Sequence, residues 1–125
     1  MLKSIHHVAI ICSNYERAKD FYTRVLGLSV VRETFRAERN SWKLDLAIGN
    51  STLELFSFPN PPARVSRPEA CGLRHLAFAV EDLAAAVKRL SAEVEVEPIR
   101  VDELTGRRFT FFTDPDGLPL EIYEV

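Results

Sequence analysis

The chain is predicted to fold as an α+β domain made of two tandem β-α-β-β-β modules that form a curved mixed sheet around a cleft. The main observation is a pair of short sequence motifs that occurs twice. HVAI, which begins at His7, is matched by HLAF, which begins at His75, and LELF around Glu54 is matched by LEIY around Glu121. Glu54 follows His7 by 47 residues and Glu121 follows His75 by 46. A length of 125 residues allows one such domain with its own core, spanning 1–125.

The first module is predicted over residues 1–58, in the order strand, helix and three strands. Residues 5–12 are an apolar strand, and Ser13 with Glu16 fits a capping box at the start of a helix. Gly27 stands where a left-handed residue would end that helix. Apolar residues recur at helical spacing between these ends, at Ala18, Phe21, Tyr22, Val25 and Leu26. Strands are then predicted at about 28–35, 42–48 and 52–58.

The second module is predicted over residues 73–125 and repeats this order. Four prolines break regular structure between the modules, so residues 59–72 are predicted to be a linker. Residues 73–80 are a strand, and Asp82 caps the following helix. The sequence Asp114-Pro115-Asp116-Gly117 predicts a tight turn. The remaining strands are predicted at about 94–101, 107–113 and 118–124.

Composition and charge exclude several classes of protein. The chain is 46% hydrophobic and 27% charged with a formal net charge of −2, which fits a globular protein and does not fit a nucleic-acid-binding surface. The longest apolar runs are too short to span a bilayer, so no membrane partner is expected. No signal peptide is recognised, and we expect a cytoplasmic protein whose Cys12 and Cys71 are reduced structural thiols.

Strand alternation places each repeated histidine and glutamate on the face of its strand that is opposite the bulky apolar residues. In each strand the bulky apolar residues take one face, and His7, Glu54, His75 or Glu121 takes the other. Taken singly, each is best interpreted as a surface or structural residue. His7, and not the adjacent His6, aligns with His75 in the repeat, so His6 is not counted among the candidates. Taken as two matched pairs, they predict a metal site, because isolated carboxylates on such a face are costly and mixed N/O ligands suit a divalent transition metal.

The repeat resembles the vicinal oxygen chelate superfamily, which includes glyoxalase I, extradiol dioxygenases, fosfomycin-resistance transferases, methylmalonyl-CoA epimerase and bleomycin-resistance proteins. The resemblance covers the whole chain through HHVAI, DFYTRVLG, GLRHLAF and DPDGLPLEIYE, and it is strongest to short bacterial glyoxalase I-like proteins of the YaeR type. It implies that His7, Glu54, His75 and Glu121 bind one divalent ion (Zn, Ni, Mn, Co or Fe). Two histidines with two glutamates form the ligand set of glyoxalase I.

The resemblance implies a metal-dependent lyase or isomerase that stabilises an enediolate-type intermediate of a small oxygen-bearing substrate. Glu121 would be the first choice for the catalytic base, with Glu54 serving the reverse step. Bacterial glyoxalase I holds glutathione with an arginine and an asparagine at the positions where this chain has Ile11 and Phe58. Neither side chain can hydrogen-bond a carboxylate, so glutathione is not the expected thiol.

Alternative functions are another enzyme of the superfamily (an epimerase, a dioxygenase or a thiol transferase) and a protein that sequesters a small molecule without turnover. The resemblance also implies a homodimer, with sites either within one chain or shared between two. Basic residues that could bind an anionic substrate group are Arg39, Lys43, Arg64, Arg67 and Arg108. Each of these residues is, on its own, as well explained by a solvated surface.

Overall fold

The computed structural model describes all residues, Met1–Val125, and they divide into two compact units, Met1–Ala63 and Arg64–Val125. Each unit contains a four-stranded mixed sheet and a helix between its first two strands. This is the α+β architecture of two β-α-β-β-β modules that the repeat predicts, so the fold class is confirmed; each module has its own four-stranded sheet, and the metal-binding cleft stays a prediction. The boundary between the units falls inside the predicted linker, 59–72. No helix is long and apolar enough to cross a membrane.

The first unit follows the predicted element order. Its sheet has the strand order β1-β4-β3-β2, in which β1 runs parallel to β4 and the other neighbours are antiparallel. Helix α1 continues directly into one π-helical turn, Phe21–Val25. The elements are β1 His7–Cys12, α1 Tyr15–Asp20, β2 Ser29–Arg36, a 3-10 turn Ala37–Arg39, β3 Ser41–Ile48 and β4 Ser51–Ser57.

The predicted cap of α1 was wrong by one residue. Asn14, not Ser13, is the cap: its backbone is extended and its side-chain oxygen accepts a hydrogen bond from Arg17 N at 3.0 Å. An asparagine carbonyl oxygen satisfies one of the free amides of the first turn as well as a serine hydroxyl does. The other end agrees with the prediction, because Gly27 has a φ of 75°, which a residue without a Cβ adopts readily.

The core of the first unit lies between α1 and one face of the sheet. Alternate residues of β1, β3 and β4 are buried there, as the alternation of apolar side chains predicts. The helix contributes the apolar residues that recur at helical spacing. The buried apolar residues are Ile10, Cys12, Tyr15, Ala18, Phe21, Tyr22, Val25, Leu44, Leu46, Leu53 and Leu55. The opposite face of the sheet is therefore the one that carries His7 and Glu54.

The second unit has the same topology, with the strand order β5-β8-β7-β6 and β5 parallel to β8. Asp82 caps α2 by accepting from Ala85 N at 3.0 Å, and Asp114 Oδ1 accepts from the backbone amides of Asp116 and Leu118 at 2.9 Å in the predicted turn. Both local predictions are confirmed. The elements are β5 Leu76–Val80, α2 Leu83–Ser91, β6 Arg100–Val101, β7 Arg108–Thr113 and β8 Pro119–Glu124.

Strand β6 is much shorter than the predicted strand 94–101. Pro98 has no amide hydrogen to give to a neighbouring strand. The fully buried Thr110 hydroxyl instead donates to Glu97 O at 2.7 Å and to Pro98 O at 3.2 Å, while Glu97 N donates to Phe111 O at 2.9 Å. The residues just before β6 are thus held to β7 mainly through the Thr110 side chain, and regular strand pairing begins only at Arg100.

Candidate metal centre

His75 and Glu121 form a close pair in the second unit. His75 directly precedes β5, and the parallel pairing of β5 with β8 sets Ala77 opposite Glu121. His75 is two residues before Ala77, so it shares the face of Glu121. The distance from His75 Nε2 to Glu121 Oε2 is 3.0 Å, and the carboxylate side chain is only 12% exposed. A charged carboxylate this far buried needs a cationic partner.

His7 and Glu54 form the corresponding pair in the first unit. His7 is the first residue of β1, and Ala9, two residues later, lies opposite Glu54 in the parallel pairing of β1 with β4. The distance from His7 Nε2 to Glu54 Oε1 is 3.8 Å, and the glutamate side chain is 13% exposed. Both pairs therefore come from the same two positions of the repeated module.

The structure groups the four expected ligands as two pairs, one in each unit. Nowhere in the chain do three or more His, Cys, Asp or Glu side chains form a group that could hold one ion. Each pair offers one imidazole nitrogen and one carboxylate, which are donors that a divalent transition metal accepts. The residues of each pair thus fit half of a four-ligand centre, and the complete centre stays a prediction.

The environment of Glu54 contains a second carboxylate and a lysine. In the antiparallel pairing of β3 with β4, Asp45 lies opposite Glu54. Lys43 Nζ is 3.5 Å from Glu54 Oε2 and 3.2 Å from Asp45 Oδ1, although the latter contact is not aligned as a hydrogen bond. Lys43 was expected only as a substrate contact. Alternation along β3 indicates that Lys43 lies on the face opposite the buried Leu44 and Leu46, and its contact with Glu54 follows from the register of β3 with β4.

The environment of Glu121 is aromatic instead. Phe111 lies opposite Glu121 in β7, at the position that Asp45 takes in the first unit, and Phe109 takes the position of Lys43. The Phe111 ring contacts the His75 ring edge-on, with centroids 5.1 Å apart. Phe109 stacks on Tyr123, with centroids 6.2 Å apart. The two pairs thus have the same ligand types and different neighbours.

Strand alternation would turn His6 to the side opposite His7, yet the two side chains lie together. His6 precedes β1, so the alternation of a strand does not apply to it. Its Nδ1 lies 2.9 Å from Nδ1 of His7, and the two rings meet edge-on. One of these nitrogens must carry a hydrogen that the other accepts. His6 therefore orients the imidazole of an expected ligand.

The basic residues that were expected to bind anions have different surroundings. Arg108 Nη2 is 2.7 Å from Glu124 Oε2 and so is already paired. Arg64 donates to the backbone oxygens of Leu73 and Arg74. Arg39 and Arg67 are exposed and form no ion pair. Arg100 was missed, and its guanidinium lies over the rings of Phe109 and Phe111.

Two networks with shifted pKa values lie apart from the histidine–glutamate pairs. Hydrogen bonds from Lys19 and then from Tyr15 lower the pKa of Glu33. Burial, followed by its hydrogen bond to Glu33, raises the pKa of Tyr15 well above its usual range. The amide of Leu104 and the Tyr123 hydroxyl lower the pKa of Asp102. These groups fasten α1 to β2 and the β6–β7 connection to β8.

Residues 4–122 match the family model described as Glyoxalase/Bleomycin resistance protein/Dioxygenase superfamily. The chain belongs to this superfamily. It is 62% identical to uncharacterized protein YwkD of Bacillus subtilis (99% of this chain, 98% of the relative) and 59% identical to uncharacterized protein YaeR of Escherichia coli (98% and 97%). A solved glyoxalase family protein from Enterococcus faecalis superposes with a TM-score of 0.91 at 54% identity, over 98% of each chain.

More distant members of the superfamily carry names of enzymes. A 2-epi-5-epi-valiolone epimerase from Actinomyces is 30% identical over 95% of this chain and 78% of its own length. A lactoylglutathione lyase from Agrobacterium tumefaciens is 25% identical, with a TM-score of 0.74 over 98% of this chain and 94% of the other. Relatives that are 25–30% identical to this chain thus include proteins named for two reaction classes, epimerisation and lyase chemistry.

Proposed function

We propose that the protein is a metal-dependent lyase or isomerase of the glyoxalase I type, acting on a small oxygen-bearing substrate. One observation carries the proposal. Each unit sets an imidazole beside a largely buried carboxylate, at the same two positions of the module, with distances of 3.0 and 3.8 Å. A protein that only sequesters a ligand has no need of two such costly carboxylates.

The residues that would hold the ion are His7, Glu54, His75 and Glu121. A divalent ion in such a site supplies Lewis-acid stabilisation of negative charge that develops on substrate oxygen. His6 would orient His7 through their nitrogen contact, and Phe111 would orient His75 through its ring edge. Such supporting contacts hold the ligands of a site in their binding geometry.

Glu121 is proposed as the base that removes a proton from carbon next to a carbonyl group and returns it to the neighbouring carbon. Its only ionic contact is with His75, so its carboxylate is available to move a proton. Glu54 is held by both His7 and Lys43. Because Lys43 also occupies its carboxylate, Glu54 is proposed as a ligand and as the base for the reverse step only.

Metal analysis of purified protein tests the proposal. Wild-type protein should carry about one divalent ion per chain, and both His75→Ala and Glu121→Gln should lose most of it. Glu124→Gln is a matched control, because it changes a glutamate of the same strand that pairs with Arg108 and not with a histidine. Full metal content in both site variants, or equal loss in the control, would exclude the proposed centre.

We also propose a two-fold homodimer, as the resemblance to glyoxalase I implies, in which each site takes one pair of ligands from each kind of unit, either of one chain or of two. Mixing His7→Ala with Glu121→Gln decides how the pairs combine. If sites are shared between chains, subunit exchange restores one intact site per mixed dimer and part of the metal binding returns. If exchange is demonstrated and no binding returns, both pairs of each site belong to one chain. A monomer by light scattering would contradict the dimer.

A further inference from the structure

The second unit contains a cavity of about 560 Å³ beside the face of Glu121. Phe111, Thr113 and Pro119 line it, and the register of β7 with β8 sets these residues on the same face as Glu121. Its size is that of sites which bind small molecules. Phe111 and Arg74, which both line the cavity, contact His75, so the cavity lies beside that histidine within one unit.

Four arginines line this cavity, and two of them are already engaged. Arg64 donates to the oxygens of Leu73 and Arg74, and Arg74 pairs with Glu69 at 2.8 Å. Arg67 and Arg100 also line the cavity and have no carboxylate or carbonyl partner. Two guanidinium groups are thus available to a ligand in the same cavity.

Arg100 is held by stacking in a way that leaves its donors free. Its guanidinium carbon is 5.1 Å from the centre of the Phe109 ring and 5.4 Å from that of Phe111. A guanidinium over aromatic faces keeps its N–H groups at its edge, where they can bind a carboxylate or phosphate with two hydrogen bonds. Phe111 also contacts His75, so a single ring separates Arg100 from that histidine.

The acidic residues of the cavity limit the charge of the ligand. Glu69 is neutralised by Arg74, while Glu95 and Glu97 are exposed and form no ion pair with Arg100. With these three glutamates against four arginines, the cavity has one net positive charge. This balance suits one anionic group and disfavours a polyphosphate.

We propose that Arg100, assisted by Arg67, binds a carboxylate or phosphate group of the substrate while the reacting oxygens lie at the His75–Glu121 pair. This inference rests on the proposed function and adds a substrate class to it. The substrate is a small hydroxy- or oxo-compound whose anionic group is a few bonds from its two neighbouring oxygens. The single ring between Arg100 and His75, that of Phe111, limits that separation.

The anion site is tested first on chelator-treated, metal-free protein by NMR titration with inorganic phosphate and, separately, with propionate. At least one anion should cause saturable chemical-shift changes at Phe111 and at the Arg100 side chain. The anion that binds more tightly shows whether the substrate group is a phosphate or a carboxylate. Arg100→Gln should weaken binding by about tenfold or more, the loss expected for charged hydrogen bonds. Arg107→Gln, a change in an exposed arginine outside the cavity, should leave it unaltered.

The second arm uses metal-loaded protein and two matched pairs of probes, lactate with malate and glycerate with 3-phosphoglycerate. In at least one pair, the member with the additional anionic group should bind about tenfold more tightly, and Arg100→Gln should remove that advantage. Absence of shifts with both anions, or an advantage that survives Arg100→Gln in both pairs, would overturn the inference. If the protein takes up no metal, the proposed function fails, and the metal-free titration still decides whether the cavity binds anions.

Discussion

Replacing Lys43 with methionine should tighten metal binding at the candidate centre. Lys43 Nζ lies 3.5 Å from Glu54 Oε2, so a divalent ion must share that carboxylate with an ammonium group and approach a like charge. Methionine has a similar length and no charge. The variant therefore removes the competitor and leaves the ligand in place.

The expected magnitude follows from the distance between the two charges. At 3.5 Å the Coulomb energy is about 1 kcal/mol in a medium like water and about 5 kcal/mol at an effective dielectric constant of about 20. Because the Lys43 side chain is 31% exposed, solvent screening favours the lower part of this range. A gain of about 1–2 kcal/mol corresponds to roughly five- to thirtyfold tighter metal binding.

Competition with a chromophoric chelator at constant pH and ionic strength measures this change. Lys3→Met is the control, because it removes the same charge from an exposed lysine without an ion pair. Unchanged or weaker binding in Lys43→Met would refute the reasoning. It would mean that Lys43 supports Glu54 as a ligand and does not compete with the ion.

Three further predictions concern stability and substrate choice. Thr110→Val should lower the free energy of unfolding by about 1–3 kcal/mol in a denaturant titration, because it leaves the oxygens of Glu97 and Pro98 without their hydroxyl donor. Thr113→Val, at an exposed position of the same strand, is the control, and an equal loss there would contradict the prediction. The pKa of Glu33 in the folded protein lies below its ordinary 4.5, so the stabilisation from its ion pair is present above pH 4.5 and is lost as the pH falls through the folded pKa. The denaturant midpoint of wild type should therefore exceed that of Glu33→Gln by less and less below pH 4.5, and a difference that stays constant with pH would contradict this. The methylglyoxal–glutathione hemithioacetal should be turned over with kcat/KM below about 10⁴ M⁻¹s⁻¹, because Ile11 and Phe58 cannot anchor its carboxylate, and a higher value would show that other residues bind the thiol.

Local patterns predicted most of the fold and the placement of both histidine–glutamate pairs. The alternation LEL and LEI sets Glu54 and Glu121 opposite buried neighbours, and this depends only on the geometry of a strand. Gly27 and Asp82 ended and began helices as their conformational preferences require. Where two residues could perform the same local role, as Ser13 and Asn14 at the start of α1, the pattern did not decide between them.

The parts that were missed depend on contacts between residues that are distant in sequence. The strand expected over 94–101 is lost because Pro98 has no amide hydrogen to donate to β7, and the Thr110 hydroxyl, in place of a backbone amide, donates to the oxygens of Glu97 and Pro98. The stacking of Arg100 on two phenylalanines requires the register of β6 with β7, which no local signal indicates. The contact of Lys43 with Glu54 likewise requires the register of β3 with β4.

The most direct test of the central claim is an anomalous-scattering map from crystals of metal-loaded protein, collected at the absorption edge of the metal. The proposed centre predicts one peak per site within about 2.0–2.2 Å of a nitrogen of His7 and of His75 and of a carboxylate oxygen of Glu54 and of Glu121. A peak bound to only one of the two pairs, or one located away from all four residues, would contradict it.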